Sequence, residues 1–359
     1  MESATLLVNT GITATRHGAA LRFQEGLYQV SKQGYAWMVP NGSWGETNIG
    51  LIDCNGKSVL IDTGWDLNFT RHMLSAMQPV LARSPIETVI NTHADGDHCW
   101  GNQLFKGRDI VATRACQEQM HHTKPAALNA LQHSCKALRY VPFGGMKCFS
   151  HYMDDMLAPY HFQDVQITDP TITFQQEHNL CLNGKDIILY EVGPGHTDGD
   201  AIVHVPDDKL VYAGDIAFIG ITPVMWSGPL ENLVAGLHKL LSLKADIMVP
   251  GHGPLASRQD IQNIIDYWDF VHEGIHALYQ QDMLPHEAAS HVMHSKAFLQ
   301  SPYARWDCAE RMVTNAFTLY RHWGARLRNL PEPMGTLDIL RKQARVAQSV
   351  APLLGIPPA

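Results

Sequence analysis

Between Asn91 and Asn102 the chain places His93, Asp95, Asp97 and His98 within six residues. Imidazoles and carboxylates are the side chains that suit zinc, iron and manganese. The cluster directly follows Thr88-Val-Ile, a short β-branched run that reads as a buried strand. It therefore stands on the loop leaving the C-terminal end of a strand, where open α/β sheets collect ligands. Near extended backbone, residues two apart face the same way. His93 and Asp95 could thus serve one ion, while Asp97 and His98 serve a second. Three later β-runs end in glycine followed at once by the same residue types, at Gly195-His196, Gly214-Asp215 and Gly251-His252. Glycine lets the backbone turn sharply beside a ligand. A solvated polar loop would explain the first cluster alone, but not the three repeats of the same strand-end event. Cys99 adjoins His98 and is expected to be a small buried hydrophobe rather than a ligand.

Positioning these groups requires a layered core. Tyr28-Gln-Val, Ala36-Trp-Met-Val and Asn48 to Asp53 read as strands, and Asn55-Gly56 reads as the tight turn of a hairpin. The second arm, Ser58 to Gly64, closes on Asp62, either as a turn cap or as a carboxylate that supports metal ligands from behind. Residues 66–83 carry helix-period apolar positions at Met73, Met77 and Leu81, stopped before Pro85. Asp109-Ile-Val-Ala-Thr is a further strand, and the alternation argues for an α/β core. Strand signals resume at Thr171–Phe174, Leu180–Leu182 (turned by Asn183-Gly184), Asp186–Val192, Ala201–Val205, Leu210–Asp215 and Ile247–Gly253. A helix over Leu230–Leu243 opens after Pro229.

Two segments depart from this alternation. Residues 115–170 hold His121, His122, His133, Phe143, Gly144-Gly145, Phe149, His151, Tyr152, Met153, Tyr160, His161 and Phe162 with no simple period. They read as an insertion, part helix and part loop, that could cover a pocket for an apolar or aromatic substrate, or could simply pack onto the core. From Ala256 onward the chain turns helical. Stripes run at Ile261, Ile264, Ile265, Trp268 and Val271 and at Met312, Ala316, Leu319 and Tyr320, with a last helix over Leu337–Ala351 before a Pro-rich tail. The domain reading is a catalytic unit over 18–255, carrying the insertion, and a helical extension over 256–359. The extension offers a surface on which an oligomer could form.

Composition narrows the function. With 359 residues, 45% apolar and 17% charged, the chain can bury a large core. A net charge of −8 with no basic block makes nucleic acid a poor partner. No apolar run approaches the ~20 residues of a membrane span. The opening Met1-Glu-Ser-Ala-Thr-Leu-Leu-Val lacks the basic start and apolar core of a secretory signal. Seven cysteines, an odd number with no Cys-x-x-Cys pair, fit reduced thiols in a cytoplasmic protein. Twenty histidines exceed what one site can use, so most must lie on the surface or at caps.

Taken in order, His93-x-Asp95-x-Asp97-His98, Gly195-His196-Thr197, Gly214-Asp215 and Gly251-His252-Gly253 resemble the successive motifs of the metallo-β-lactamase-fold hydrolase superfamily, with Asp62-Thr-Gly64 similar to its early strand-end motif. The resemblance runs over about residues 45–255. It implies an αββα sandwich with a helical and loop insertion, a helical C-terminal extension and a pair of metal ions at one edge. It also implies that His93, Asp95 and His196 hold the first ion, Asp97, His98 and His252 the second, with Asp215 bridging and Asp62 supporting from behind. The usual motif carries His where this chain has Asp95. A similar replacement by a carboxylate, there Glu, occurs in the flavodiiron branch, whose metals are iron. Three carboxylates and a bridging hydroxide would balance the charge of two divalent ions, where the usual set leaves one positive charge. The pair would be a weaker Lewis acid, and manganese or iron would be favoured over zinc. In several true β-lactamases a Cys stands at the position of Asp215, so antibiotic hydrolysis is not expected here.

The implied reaction is hydrolysis of an ester-like bond (a lactone, thioester or related carboxyl derivative) in a small-molecule substrate. A metal-bound hydroxide would attack, with Asp97 orienting it and Asp215 spacing the ions. The alternative is a di-iron, oxygen-dependent oxidoreductase using the same site, motivated by Asp95. No Gly-x-Ser-x-Gly elbow is present to suggest a serine nucleophile.

Overall fold

The computed structural model describes residues 4–15, 18–40, 44–141, 145–324 and 335–355. Phe143, Gly144, the last four residues of the Pro-rich tail and the first three residues lie outside the described residues. Two sheets form the centre. The first runs in order β1 (Thr5–Asn9), β2 (Gly26–Gln29), β3 (Gly34–Met38), β4 (Ile49–Asp53), β5 (Ser58–Ile61), β6 (Ile86–Ile90), β7 (Asp109–Thr113) and β8 (Ile172–Phe174). It is antiparallel as far as β5 and parallel from there to β8. The second runs β13 (Ile247–His252), β12 (Leu210–Phe218), β11 (Ala201–Val205), β10 (Lys185–Glu191) and β9 (Glu177–Leu182), with only β12 and β13 parallel. The first sheet reaches back to β1, ahead of residue 18. Its short, half-exposed run Thr-Leu-Leu-Val-Asn gave little pattern to read.

Period-two alternation decides which face each strand buries. In β3, Ala36 and Met38 point into the layer between the sheets, and Tyr35 and Trp37 point outward beneath α1 (Leu67–Ala76) and α2 (Gln78–Leu81). Val59, Ile61, Ile90 and Val111 repeat the inward face, and Leu60, Val89 and Ile110 the outward one. From the second sheet, Val203, Val205, Tyr212 and Val249 fill the same inter-sheet layer. Ile202, Val211, Ala213 and Met248 face helices instead. Helix, sheet, sheet, helix is therefore the layer order. A buried pair locks the sheets together: Lys185 Nζ lies 2.6 Å from Asp208 Oδ1, while Asp208 Oδ2 accepts from Ser31 Oγ at 2.6 Å and Gln33 N at 2.9 Å.

The connections follow the expected turn chemistry. Asn55-Gly56 and Asn183-Gly184 all take positive φ, as hairpin turns of this length require. The helix expected over 66–83 divides at Met77 into α1 and α2, with Asp66 capping the first by accepting from Phe69 N at 2.7 Å. Between β6 and β7 lies the one-turn α3 (Gly96–Cys99). The insertion joins β7 to β8 through α4 (Arg114–Gln119), α5 (Pro125–Leu138) and α6 (Met146–Leu157). After β12 comes α7 (Leu230–Ser242). Beyond β13 come α8 (Arg258–Tyr279), α9 (Pro285–His294), α10 (Lys296–Gln300), α11 (Met312–His322) and α12 (Gly335–Val350). The extension is one core with the second sheet, because Ile261, Ile264, Trp268, Met312 and Ala316 pack with Leu233, Leu237 and Ile202. All seven cysteines are free thiols. Among the described residues no helix is long and apolar enough to cross a membrane.

Candidate metal centre

Side chains from strands of both sheets and the loops that follow them converge on one edge of the sandwich. Asp62 follows β5, His93 lies three residues past β6, His196 sits in the loop between β10 and β11, Asp215 lies within β12, which runs on to Phe218, and His252 ends β13. The single turn of α3 carries Asp97 and His98. Ligand-type atoms of His93, His196 and Asp215 lie within 4.8 Å of one another, and those of Asp97, His98 and His252 form a second such group. Asp215 sits between them. Its Oδ2 is 3.8 Å from His93 Nε2, 3.3 Å from His196 Nε2 and 3.3 Å from His252 Nε2, and its Oδ1 is 3.2 Å from His98 Nε2. Gly251 is needed here, since a Cβ at that position would collide with Asp215 Oδ1. Asp97 Oδ2 stands 3.6 Å from His98 Nε2 and 3.5 Å from His252 Nε2. Asp95 is more peripheral: its Oδ2 is 3.2 Å from His196 Nε2, outside the two tighter groups, and its side chain is 37% exposed.

All four imidazoles are aimed by hydrogen bonds on the far side of the ring. Nδ1 of His98 lies 2.8 Å from Asp62 Oδ2, that of His93 3.0 Å from Thr92 Oγ1, that of His196 2.7 Å from the Val224 carbonyl and that of His252 3.0 Å from the Glu46 carbonyl. Holding Nδ1 outward fixes ring orientation and leaves Nε2 for the centre. Asp62, itself at φ 65°, also accepts from Thr92 N and Thr92 Oγ1, both at 2.8 Å. Among the described residues, Nε2 of His93 and His98 and Oδ1 of Asp215 are buried without a hydrogen-bond partner. Buried polar atoms are rarely left so. These orphaned atoms, a nitrogen and carboxylate donor set and a central carboxylate fit a pair of divalent cations.

Electrostatics point the same way. Burial works against charge on His98, yet Asp215, Asp97 and Asp62 hold its pKa well above the ordinary imidazole range. Against the same burial, Asp95 and Asp215 push His196 up to about 9, and Asp215 and Asp97 push His252 up to about 9. His93 goes the other way, driven well below by burial and by His98. Burial would raise both carboxyls, but His98 and His252 hold Asp97 and Asp215 below the usual carboxylate range. The cage is built to gather positive charge.

Several supports carry no signature in the sequence. Thr47 Oγ1 donates to Asp97 Oδ2 at 2.7 Å. Asp200 Oδ1 accepts from Thr197 N at 3.0 Å and Thr197 Oγ1 at 2.6 Å, closing the loop behind His196. Helix α11 braces the loop that holds His196: Asn315 Oδ1 accepts from Met225 N and Asn315 Nδ2 donates to the Pro223 carbonyl, both at 2.9 Å. The Cys99 thiol donates to the carbonyls of Ala94 and Asp95 and does not join either group. The insertion lies directly behind the His93 loop, where Met153, Leu157, Tyr160 and Phe162 pack with Ala94, Cys99 and Trp100. Much of its apolar content is therefore spent on packing, while Trp44, Tyr152 and Trp226 stay partly exposed beside it. Its His121 and His133 are surface residues, bonded to Asp169 and to the Asn129 carbonyl.

Comparison with known proteins agrees with this geometry. The sequence profile of the metallo-beta-lactamase superfamily matches residues 42–252. The alpha subunit of 2,4-dinitroanisole O-demethylase from Nocardioides sp. (strain JS1661) is 23% identical over 243 residues, covering 66% of this chain and 61% of that protein. A linear primary-alkylsulfatase from Pseudomonas sp. (strain ATCC 19151) is 21% identical over 304 residues, covering 76% of this chain and 55% of that protein. The chain thus spans little more than half of these curated relatives. In fold it is similar to the solved structure of a stereoselective inverting sec-alkylsulfatase from Pseudomonas sp. (TM-score 0.61, 14% identity), a match that covers 92% of this chain and 59% of that one.

Proposed function

The chain belongs to the metallo-beta-lactamase superfamily, and on that premise we propose that it is a dinuclear-metal hydrolase acting on an ester-like bond of a small molecule. The observation that carries this reading is the inward aim of four imidazoles around one buried carboxylate, each held by a partner behind it. In the proposed site His93, His196 and Asp95 would hold one cation and Asp97, His98 and His252 the other, with Asp215 placed to serve both. Zinc, manganese or iron would serve, the extra carboxylate of Asp95 favouring the latter two. When bound, such a pair supplies a nucleophile at neutral pH and withdraws charge from the bond to be broken.

The chain's own groups do the rest. Asp97, fixed by Thr47, orients the attacking group and takes its proton. Asp215 keeps the spacing of the two halves of the site. Trp44, Tyr152 and Trp226 offer an apolar and aromatic wall that limits water. The two sheets, from β1 onward, with their flanking helices form the catalytic unit, and the helices from α8 onward form an extension that braces it through Asn315. Relatives named as an O-demethylase and as alkylsulfatases widen the candidate bonds from lactones and thioesters to other esters and ethers.

The test is turnover of nitrophenyl esters, a lactone and a thioester by protein loaded with zinc, manganese or iron, in the absence of oxygen. Hydrolysis lost on chelation and in Asp97→Ala is expected. Turnover that requires iron and oxygen together would replace this reading with the di-iron oxidoreductase that Asp95 suggests.

A further inference from the structure

Arg311 closes the short 3-10 turn Ala309–Arg311 that leads into α11, and it is only 7% exposed. Its guanidinium carbon lies 5.6 Å from the centroid of the Phe218 ring. That same ring stacks on His252 at 5.2 Å and 4°, and meets His196 edge-on at 5.6 Å. One aromatic ring thus links a buried cation to two imidazoles of the metal centre. A guanidinium carries five N–H donors. Among the described residues, the only side-chain hydrogen bond Arg311 makes is from Nη1 to the Thr222 carbonyl at 3.4 Å, and it makes no ion pair.

An unpaired buried charge is costly, by several kcal/mol in general, unless something answers it. Burial works against the charge, while Cys308, Tyr152, Glu310 and, least of them, Asp215 lie near enough to favour the charged form of Arg311 without pairing with it. Glu310 is engaged elsewhere, accepting from the Tyr152 hydroxyl at 2.9 Å. The residual donors form a planar fork of the kind that takes carboxylates and sulfates bidentately.

We propose that Arg311 is a specificity-determining residue that receives an anionic group of the substrate, a carboxylate or sulfate, with Phe218 as the apolar wall between that group and the reacting bond. This deepens the hydrolase reading and rests on it for the word substrate, but the anion site itself stands on the geometry of Arg311. The class of substrate it selects is an ester that carries an oxyanion.

Two measurements test it on the full chain, with Arg311→Met and Arg311→Lys, both checked for an unchanged unfolding midpoint. In calorimetry at low salt, with chelator present, inorganic sulfate should bind the parent protein. Its affinity should fall at least tenfold in Arg311→Met and less in Arg311→Lys, which keeps the charge but loses the fork. In kinetics on the metal-loaded protein, Arg311→Met should raise KM for a nitrophenyl hemisuccinate at least tenfold while leaving nitrophenyl acetate unchanged. Sulfate binding that is absent, or equal in all three proteins, would overturn the anion site. Sulfate binding lost in Arg311→Met with no change in preference between the two esters would overturn the substrate role, leaving a site for a free anion. If neither ester is turned over while Arg311→Met still loses sulfate, the hydrolase reading fails and the anion site stands.

Discussion

Replacing Asp62 by Asn probes how the cage is held without disturbing the backbone, since Asn tolerates the positive φ of 65° at this position as well as Asp does. Asp62 accepts from Thr92 N, Thr92 Oγ1 and His98 Nδ1, each at 2.8 Å. Asn keeps one carbonyl oxygen, which can serve Thr92 N, but turns an NH2 group toward His98. Either a buried donor is orphaned, at about 1–3 kcal/mol, or the imidazole moves its proton from Nδ1 to Nε2. The second outcome points a hydrogen into the centre where a lone pair is needed. Counting also the lost charge-assisted bond, destabilisation on the order of 2–4 kcal/mol is expected in the metal-free protein. Metal affinity should drop roughly 10–100-fold, the usual effect of removing a partner behind a metal-binding imidazole. Urea unfolding with chelator present reads the first quantity, and metal titration reads the second. If Asp62→Asn leaves both the unfolding midpoint and the affinity at the parent values, Asp62 does not orient His98 and the reasoning fails.

Asp95→His should shift metal content toward zinc when zinc, manganese and iron compete at equal concentration, because it leaves the site one unit more positive. An unchanged ratio would remove Asp95 from the ligand set. Asn315→Ala orphans Met225 N and the Pro223 carbonyl and should loosen the loop that aims His196. One of the two ions should then bind more weakly while the other keeps its affinity, as read by stepwise titration, and equal weakening of both would contradict this. Asp208→Asn should destabilise the protein by about 3–5 kcal/mol at neutral pH by leaving Lys185 buried without its partner. Burial would raise the Asp208 pKa, but Lys185, Ser31 and Gln33 hold it below the ordinary carboxylate value of 3.8. The stabilisation is therefore present above that value and is lost as pH falls through the lower, folded-state pKa. Urea midpoints for the two proteins should converge only in acid, and a gap that closes already between pH 7 and pH 5 would count against the pair.

The sandwich and its ligand-bearing edge were legible because both rest on side-chain pattern. Alternation in Ala36-Trp-Met and Ser58–Ile61 set the two faces of the first sheet. Glycine before His196, Asp215 and His252 marked the ligand-bearing edge, although only His252 ends its strand: Gly195 lies in the loop after β10, and Gly214 lies inside β12. What could not be read depends on the backbone or on distant contacts. The carbonyls of Val224 and Glu46 that aim His196 and His252 belong to residues whose side chains give no hint of the role. Thr47 meets Asp97 across fifty positions of sequence, and only the fold makes them neighbours. Arg311 and Asn315 lie on a helical stretch whose apolar stripe announces packing, and their polar contacts face the other way, toward the loop 222–226. The aromatic insertion read equally as a substrate cover or as packing, because aromatic and Met residues serve cores and pockets alike. The position of Phe162 and Met153 against Trp100 and Ala94 shows the packing use of those two side chains.

The central claim is that this edge of the sandwich holds two neighbouring cations. Crystals of protein loaded with manganese or zinc, measured by anomalous diffraction at the metal edge, test it directly. The account predicts two peaks about 3.5–4 Å apart, one among His93, His196 and Asp215 and the other among Asp97, His98 and His252. A single peak, or peaks placed away from Asp215, would contradict it.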